Sequence, residues 1–200
     1  KTAYEISTRD WSSDVCSSDL LSKHSSSGIR CLVARNTNTS ISTLNFLTKD
    51  SRREVRKSIL LNSKVSKKII DVLMKDNEVD VRVSLAKNES ISAEVLAQLA
   101  ADKDELVRIE VACNENTDTK TLEKLVSDKS KNVKKEVAGN PNVPQVTLHK
   151  LSKEKSIGIL QALAGNPSTS SKTLMKLVYE KDNFVREDRK STRLNSSHEW

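Results

Sequence analysis

Apolar residues recur along most of the chain with a period of 26 residues, and polar positions recur between them in the same register. Without any insertion, the chain divides into rows that begin at Ile29, Val55, Val81, Val107, Val133 and Ile159, followed by a partial row at Val185. Six rows in strict register are not expected by chance, so the repeat is the strongest structural signal in the sequence. We number the positions of each row from 1 to 26.

The start of each row predicts a helix with one buried face. Positions 1, 5 and 6 are apolar, as in Val107, Val111 and Ala112, and this spacing puts them on the same side of a helix. Position 5 holds Val33, Ile59, Leu85, Val111, Val137 and Leu163. Position 6 holds Ala34, Leu60, Ala86, Ala112, Ala138 and Ala164. We call this element the first helix of a row.

Position 8 is asparagine in every full row, and it predicts the end of the first helix. The residues are Asn36, Asn62, Asn88, Asn114, Asn140 and Asn166. Asparagine tolerates the left-handed conformation that often follows a helix, and two of these residues precede proline, which disfavours helical backbone. We expect a structural cap and a hydrogen-bonded column between repeats; the alternative is a row of ligand-binding amides.

A second, short helix is predicted to follow from position 12. Good N-cap residues stand there in five rows, Ser40, Ser66, Ser92, Asp118 and Ser170, and Pro144 is the exception. Positions 16 and 19 carry the pairs Leu44/Leu47, Ile70/Leu73, Leu96/Leu99, Leu122/Leu125, Leu148/Leu151 and Leu174/Leu177. The helix has room for about two turns and could be partly 3₁₀. Since one helix pair cannot bury its own apolar face, stacked rows predict an all-α, right-handed α-solenoid of two-helix repeats.

The stretch from Val81 to Leu99 resembles the leucine-rich repeat variant family, a relative of HEAT-like repeats. Its pattern is Val-Arg-x-x-x-Ala-x-Asn-x-x-x-Ser-x-x-x-Leu-x-x-Leu. The resemblance covers residues 29–187 and implies a superhelix of alternating α and 3₁₀ helices. Because these rows are longer than is usual in that family, the second helix is expected to be more fully α-helical. Some members carry an iron–sulfur domain with clustered cysteines, but Cys31 and Cys113 are isolated, so we expect no cofactor.

The two ends of the chain are serine-rich and lack helical periodicity. Asp10–Asp14 and Leu194–Ser197 can be back-translated as reverse complements, so both ends resemble translated sequencing adapter. We therefore expect disordered adapter-derived segments at 1–20 and 188–200, a lead-in at 21–28 and a fragment of a longer protein between them. The predicted repeats are 29–54, 55–80, 81–106, 107–132, 133–158, 159–184 and the partial 185–187.

Charge is also periodic. The chain has 34 Lys and Arg against 27 Asp and Glu, a net charge of +7, and the part without the two ends carries +8. Position 2 is basic in Arg30, Arg56, Arg82, Arg108, Lys134 and Arg186, with Leu160 as the exception. Acids six residues before most of these are Asp50, Asp76, Asp102, Asp128 and Glu180. We favour a ladder between repeats in which each acid caps a helix start and pairs with Arg; the alternative is a basic stripe that binds phosphates.

Binding in such an array is expected at variable positions. Position 7 holds Arg35, Leu61, Lys87, Cys113, Gly139 and Gly165. Position 18 holds Phe46, Val72, Gln98, Lys124, Lys150 and Lys176, so a lysine-rich surface is predicted in the second half. We expect a non-catalytic scaffold that binds another protein. The alternative is a nucleic-acid-binding solenoid that uses Lys124, Lys150 and Lys176.

Catalytic and metal sites are not indicated by the sequence. His24 and His149 lie almost five rows apart, and Cys31 and Cys113 just over three, or roughly 25–30 Å at the usual spacing of packed helices. The two cysteines cannot form a disulfide and are expected to be buried or half-buried in a reducing, cytoplasmic compartment of a bacterial protein. There is no glycine-rich phosphate loop and no run of 18 apolar residues that predicts a membrane helix.

Overall fold

The structure is a computed structural model that describes residues 15–177 and residue 179. Within these residues the chain forms α-helices joined by short turns, and no strand. The helices are α1 Val15–Leu21, α2 Ser27–Arg35, α3 Ile41–Leu47, α4 Arg53–Ile59, α5 Lys67–Leu73, α6 Val79–Ala86, α7 Ala93–Leu99, α8 Glu105–Cys113, α9 Thr119–Leu125, α10 Lys131–Gly139, α11 Gln145–Leu151 and α12 Ile157–Gly165. Residues 171–177 are helical as well.

First and second helices alternate, and several first helices pack against the first helix that follows. In one part of the chain α2 contacts α4 and α4 contacts α6, while α1, α3 and α5 each contact the first helix that follows. In another part α10 contacts α12, and α9 and α11 each contact the next first helix. Contacts between sequential neighbours are those of stacked repeats. The predicted all-α solenoid of two-helix repeats is confirmed.

The chain divides into two compact units, each described here by itself. Unit 1 contains the described residues up to 91 together with 102–110. Unit 2 contains 92–101 and the described residues from 111 onward. Helix α8 contributes residues to both units, so the division does not follow the row boundaries. The 26-residue rows themselves stay a prediction from the sequence.

The core consists of the periodic apolar positions. All six side chains at position 5 are fully buried. Position 6 is buried in five rows, and Ala164 in the sixth is exposed. At positions 16 and 19, Ile70, Leu174 and Leu177 are only half-buried. The first-helix pattern therefore predicts the core more accurately than the second-helix pattern does.

Position 15 is a core position that hydropathy alone does not reveal. It is buried in every described row, and its residues are Thr43, Ile69, Val95, Thr121, Thr147 and Thr173. In the second row Ile69 takes the buried place and Ile70 is half-buried. Threonine offers a methyl group to the core and a hydroxyl that can bond locally, which explains why it alternates here with Ile and Val.

Buried hydroxyls at position 11 tie the turn to the end of the first helix. Thr39 Oγ1 donates to the Val33 carbonyl at 2.6 Å, and Thr117 Oγ1 donates to Val111 at 2.5 Å. Thr169 Oγ1 donates to Leu163 at 2.7 Å. These bonds satisfy carbonyl groups left without an amide partner near the helix C-terminus. They also keep each hydroxyl paired inside the core.

Each second helix between α3 and α11 is α-helical over seven residues, so the 3₁₀ geometry implied by the family resemblance is not found there. Ser40 and Asp118 accept the Thr43 and Thr121 amides at 3.1 and 2.7 Å, as N-caps do. Ser66 and Ser92 occupy the N-cap position without a side-chain cap bond. Pro144 also begins a helix without one. Helix starts are therefore predicted correctly by position, but the capping bond forms in only some rows.

Part of the N-terminal segment assigned to adapter is helical. Residues 15–20 belong to α1, which contacts α2, and Thr43 Oγ1 donates to the Asp19 carboxylate. The expected disorder is thus wrong for these residues, because the end of the segment can extend the register of the second helices. The origin of both terminal segments stays a prediction. Residues 1–14 and 188–200 lie outside the described residues.

Candidate functional site

Three position-2 arginines of unit 1 form bidentate ion pairs with an acid at position 22 of the same row. Arg30 Nε and Nη2 lie 2.6 and 2.9 Å from the two Asp50 carboxylate oxygens. Arg56 contacts Asp76 at 2.6 and 2.9 Å. Arg82 contacts Asp102 at 2.7 and 3.0 Å. In each case the acid lies 20 residues after the arginine, at position 22 of the same row, so every pair joins a first helix to the turn that leads into the next first helix.

Each arginine also bonds to a backbone carbonyl at the end of the preceding row. Nη1 of Arg56 donates to the Asp50 carbonyl and Nη1 of Arg82 to the Asp76 carbonyl, both at 2.7 Å. Nη1 of Arg108 donates to the Asp102 carbonyl at 2.9 Å. One guanidinium therefore connects the turn that ends the preceding row to the turn that ends its own row, and this contact joins neighbouring repeats. This arrangement uses the fixed fork of donors that lysine lacks.

The aspartates order the turn before each first helix. Asp50 Oδ1 accepts the Arg52 amide at 2.9 Å, and Asp76 Oδ1 accepts the Glu78 amide at 2.9 Å. Each aspartate therefore accepts the backbone amide of the residue two positions later. Those later residues, Arg52 and Glu78, are the ones that occupy the N-cap positions. The acids make turns that lead into the helices, and the expectation that they cap the helix starts is wrong in this detail.

The electrostatics of these pairs favour their ionised forms. Burial raises the pKa of the Asp102 carboxyl, but the hydrogen bonds and charge of Arg82 and the Asp104 amide together outweigh it, so the pKa lies below its ordinary value. The same balance, with Arg30 and the Arg52 amide, lowers the pKa of Asp50. The bond to Asp102 raises the pKa of Arg82. Side chains of Arg82 and Asp102 are only 4% and 8% exposed, so this guanidinium is not available to an external phosphate.

In unit 2 the corresponding pair is weaker and more exposed. Lys134 Nζ lies 2.7 Å from Glu154 Oε1, and the two side chains are 20% and 33% exposed. A single ammonium contact replaces the two parallel bonds of the arginine pairs. Arg186 and Glu180 lie outside the described residues.

The position-8 asparagines join repeats through their side-chain amides. Asn62 Nδ2 donates to the carbonyls of Ala34 and Asn36 at 2.9 and 2.8 Å, in the preceding repeat. Asn140, Asn166 and Asn88 make the same type of contact within their units: Asn140 Nδ2 to Ala112 at 2.8 Å, Asn166 Nδ2 to Ala138 at 2.7 Å and Asn88 Nδ2 to Leu60 at 2.9 Å.

Their side-chain oxygens accept a backbone amide two residues onward. This holds in all six rows, for the asparagines Asn36, Asn62, Asn88, Asn114, Asn140 and Asn166. Where these residues end a helix as its C-cap, φ is −67° at Asn36, −71° at Asn140 and −78° at Asn166. The left-handed conformation expected at this position is therefore wrong, and asparagine is needed for its two-sided side-chain bonding.

The predicted lysine surface occupies the second helices of unit 2. Lys124 lies on α9 and Lys150 on α11, and both are exposed, whereas Lys176 in the helical residues 171–177 is half-buried. Lys120 and Lys172 extend the surface. Glu123 and the exposed side chains of Val146 and Met175, 71% and 64% exposed, interrupt it.

A groove of about 740 Å³ lies on the first helices of unit 1. Position 7 contributes Arg35, Leu61 and Lys87 from three consecutive rows. Among these lining residues Leu61 is the exposed apolar side chain, with 65% of its surface accessible. The remaining charged lining residues are Glu54, Lys57 and Glu89.

The groove has charges of both signs. Neither Arg35 nor Lys57 has an ion-pair partner within the described part of the chain, and Lys87 Nζ lies 3.4 Å from Glu110 Oε1 with its side chain 66% exposed. Glu54 contacts Arg53 Nε at 3.1 Å. Position 7 was expected to be a variable surface position, but Lys57 and Glu54 were missed. Lys57 lies four residues before Leu61 and Glu54 lies seven before it, a helical spacing that could have revealed the shared face.

Isolated titratable residues do not assemble into a catalytic cluster in the described residues. Cys31 is half-buried in the groove, as expected, but Cys113 is exposed, which corrects the expectation that both are at least half-buried. His24 Nδ1 accepts the Ser26 amide at 3.0 Å, and His149 is exposed on α11. Across residues 15–177 and 179, no three His, Cys, Asp or Glu side chains are placed to hold a metal ion. In the same residues no helix combines the length and apolar character needed to span a bilayer.

No family model matches the chain, and no curated protein matches it. A solved structure described as a leucine-rich repeat variant with a novel repetitive protein structural motif is similar over 80% of this chain and 79% of that one, with 18% sequence identity and a TM-score of 0.42.

Proposed function

We propose that this protein is a non-catalytic repeat scaffold that binds another protein through the groove of unit 1. The observation that carries the proposal is the exposed Leu61 between cationic side chains in a groove that also contains carboxylates. Protein partners offer apolar, acidic and basic groups together, and interfaces are built from an apolar centre with a polar rim. A phosphate backbone would instead meet Glu54 and Glu89 at the same surface.

The periodic arginines support this assignment indirectly. Because Arg30, Arg56 and Arg82 are held by carboxylates between repeats, they stabilise the stack and leave recognition to the variable positions. In a repeat array the constant positions maintain the fold and the variable ones distinguish partners.

A second candidate function is nucleic-acid binding by the lysine surface of unit 2. Lys120, Lys124, Lys150 and Lys172 are exposed, and Glu123 is the acid that lies among them on α9. Binding of this kind would weaken steeply with salt, because lysine contacts to phosphate release counterions.

Capture from a lysate of the source organism, with and without nuclease, tests both functions. We expect defined proteins to be retained after nuclease treatment, lost with Leu61→Ser and kept with Leu106→Ser. Leu106 is a matched control because it is 57% exposed and does not line the groove. Recovery of nucleic acid alone, abolished by Lys124→Glu with Lys150→Glu, would replace the first function by the second.

A further inference from the structure

The position-7 side chains of three consecutive rows in the groove are a cation, an apolar group and a second cation. Arg35 stands at the end of α2, Leu61 just after α4 and Lys87 just after α6, each separated by one repeat. These three helices contact one another in succession within unit 1. Packed helices are about 8–10 Å apart, so the three side chains follow each other at roughly that interval.

An extended polypeptide can match this interval. In the polyproline II conformation the chain has three residues per turn and rises about 3.1 Å per residue, so residues i, i+3 and i+6 share a face at steps of about 9 Å. A β-strand repeats the same face after about 7 or 13 Å, which falls outside the interval. An α-helix repeats the same face after three or four residues, about 5.4 Å, and after seven residues, about 10.5 Å, so its steps lie on either side of the interval.

The charges select the side chains of such a segment. A carboxylate opposite Arg35 and another opposite Lys87 would each gain a charge-assisted contact, and an apolar side chain would cover Leu61. Glu54 and Glu89 disfavour a segment that is acidic throughout. Because the arrangement is symmetric, it accepts the segment in either chain direction.

We infer that the groove of unit 1 binds an extended protein segment with an acidic, an apolar and a second acidic residue at three-residue spacing, acidic-x-x-apolar-x-x-acidic. This inference rests on the proposed protein-binding function and adds the chemistry of the partner. The contact residues are Arg35, Leu61 and Lys87.

Selection from a random peptide display library on the full chain tests the motif. We expect the acidic-x-x-apolar-x-x-acidic spacing to be enriched at least tenfold over the unselected library. The enrichment should disappear with Leu61→Ser and persist with Leu106→Ser. Replacing Arg35 by Glu should select a basic residue at one end, whereas Lys49→Glu, an exposed change outside the groove, should not. Enrichment of a seven-residue spacing, or of no pattern, would overturn the inference.

The cysteines supply a second readout. Cys31 lines the groove and Cys113 does not. A synthetic peptide with the motif should slow alkylation of Cys31 at least fivefold and leave Cys113 unchanged, as measured by mass spectrometry of the labelled peptides. The same peptide with lysines in place of its acids should protect neither. Equal rates with and without the acidic peptide would contradict the inference.

Failure of the motif and failure of the function can be distinguished. If lysate proteins are captured in a Leu61-dependent manner but no acidic-x-x-apolar-x-x-acidic peptide is selected, the binding function stands and the extended motif is wrong. If Leu61→Ser changes neither experiment, the groove is not the binding surface.

Discussion

At the residue scale, the buried charges connect neighbouring repeats. Arg82 bonds both to the Asp76 carbonyl in the preceding row and to the Asp102 carboxylate in its own row. The hydrogen bonds within the pair offset the large cost of taking two charges out of water. Removing one partner therefore costs more stability than the intact pair contributes, because the other charge stays buried and unpaired.

Replacing Arg82 by leucine should lower the free energy of unfolding by about 3–5 kcal/mol, because Asp102 would remain buried without its partner. Urea unfolding followed by circular dichroism measures this. Arg53→Leu is the control: Arg53 is 49% exposed in its pairs with Glu54 and Asp80, so its loss should cost far less stability than the loss of Arg82. Equal costs for the two variants would show that burial does not set the strength of the pair.

The lowered pKa of Asp102 predicts a specific pH dependence. Between the folded and the unfolded pKa, the unfolded chain binds more protons, so stability falls as the pH drops below about 4 and through the folded pKa. Asp102→Asn removes this contribution. The variant should therefore be less stable than the original at pH 7, and the difference should shrink as the pH falls. Urea midpoints measured from pH 7 to pH 3 test this, and a constant difference would contradict it.

At the element scale, two helices end in a glycine whose extra freedom the fold does not require. Gly139 ends α10 and Gly165 ends α12, and a Cβ at either would meet no atom within 4 Å. No described glycine has positive φ. Gly139→Ala and Gly165→Ala should each raise the free energy of unfolding by about 0.5–1 kcal/mol, since alanine loses less backbone entropy in a helix. A lower thermal midpoint for either variant would show that the backbone there needs glycine.

Sequence periodicity predicts the buried face of a helix well where the buried side chains are purely apolar. Val111 and Leu85 are apolar, buried and correctly assigned, because spacing alone determines which helix face they share. Thr121 is buried just as completely, but its hydroxyl made position 15 look like a polar position. In the second row the sequence pattern assigns Ile70 to the core, whereas the structure buries Ile69. Two adjacent isoleucines in a seven-residue helix do not show which of them faces the core.

At the scale of the whole molecule, the site depends on stacking that a single row does not contain. Position 7 was recognised as variable, but the groove formed by Leu61 and its neighbours requires three helices in contact. The arginine partners illustrate the same limit. The sequence pattern pairs Arg56 with the acid six residues before it, whereas the carboxylate that binds it belongs to Asp76, 20 residues after it. Long-range pairing follows from packing geometry, which the sequence encodes only through the register of rows.

The stacking of sequential repeats also predicts how far a destabilising core substitution affects the rest of the chain. Leu73 is fully buried in unit 1 and Leu148 in unit 2, and truncating either to alanine should cost about 2–5 kcal/mol. Because repeats contact their neighbours, the loss should remain local under native conditions. Hydrogen exchange should accelerate in α4–α6 for Leu73→Ala and in α10–α12 for Leu148→Ala, with little change in the other set. Uniform acceleration in both variants would instead show that the described repeats unfold as one cooperative unit.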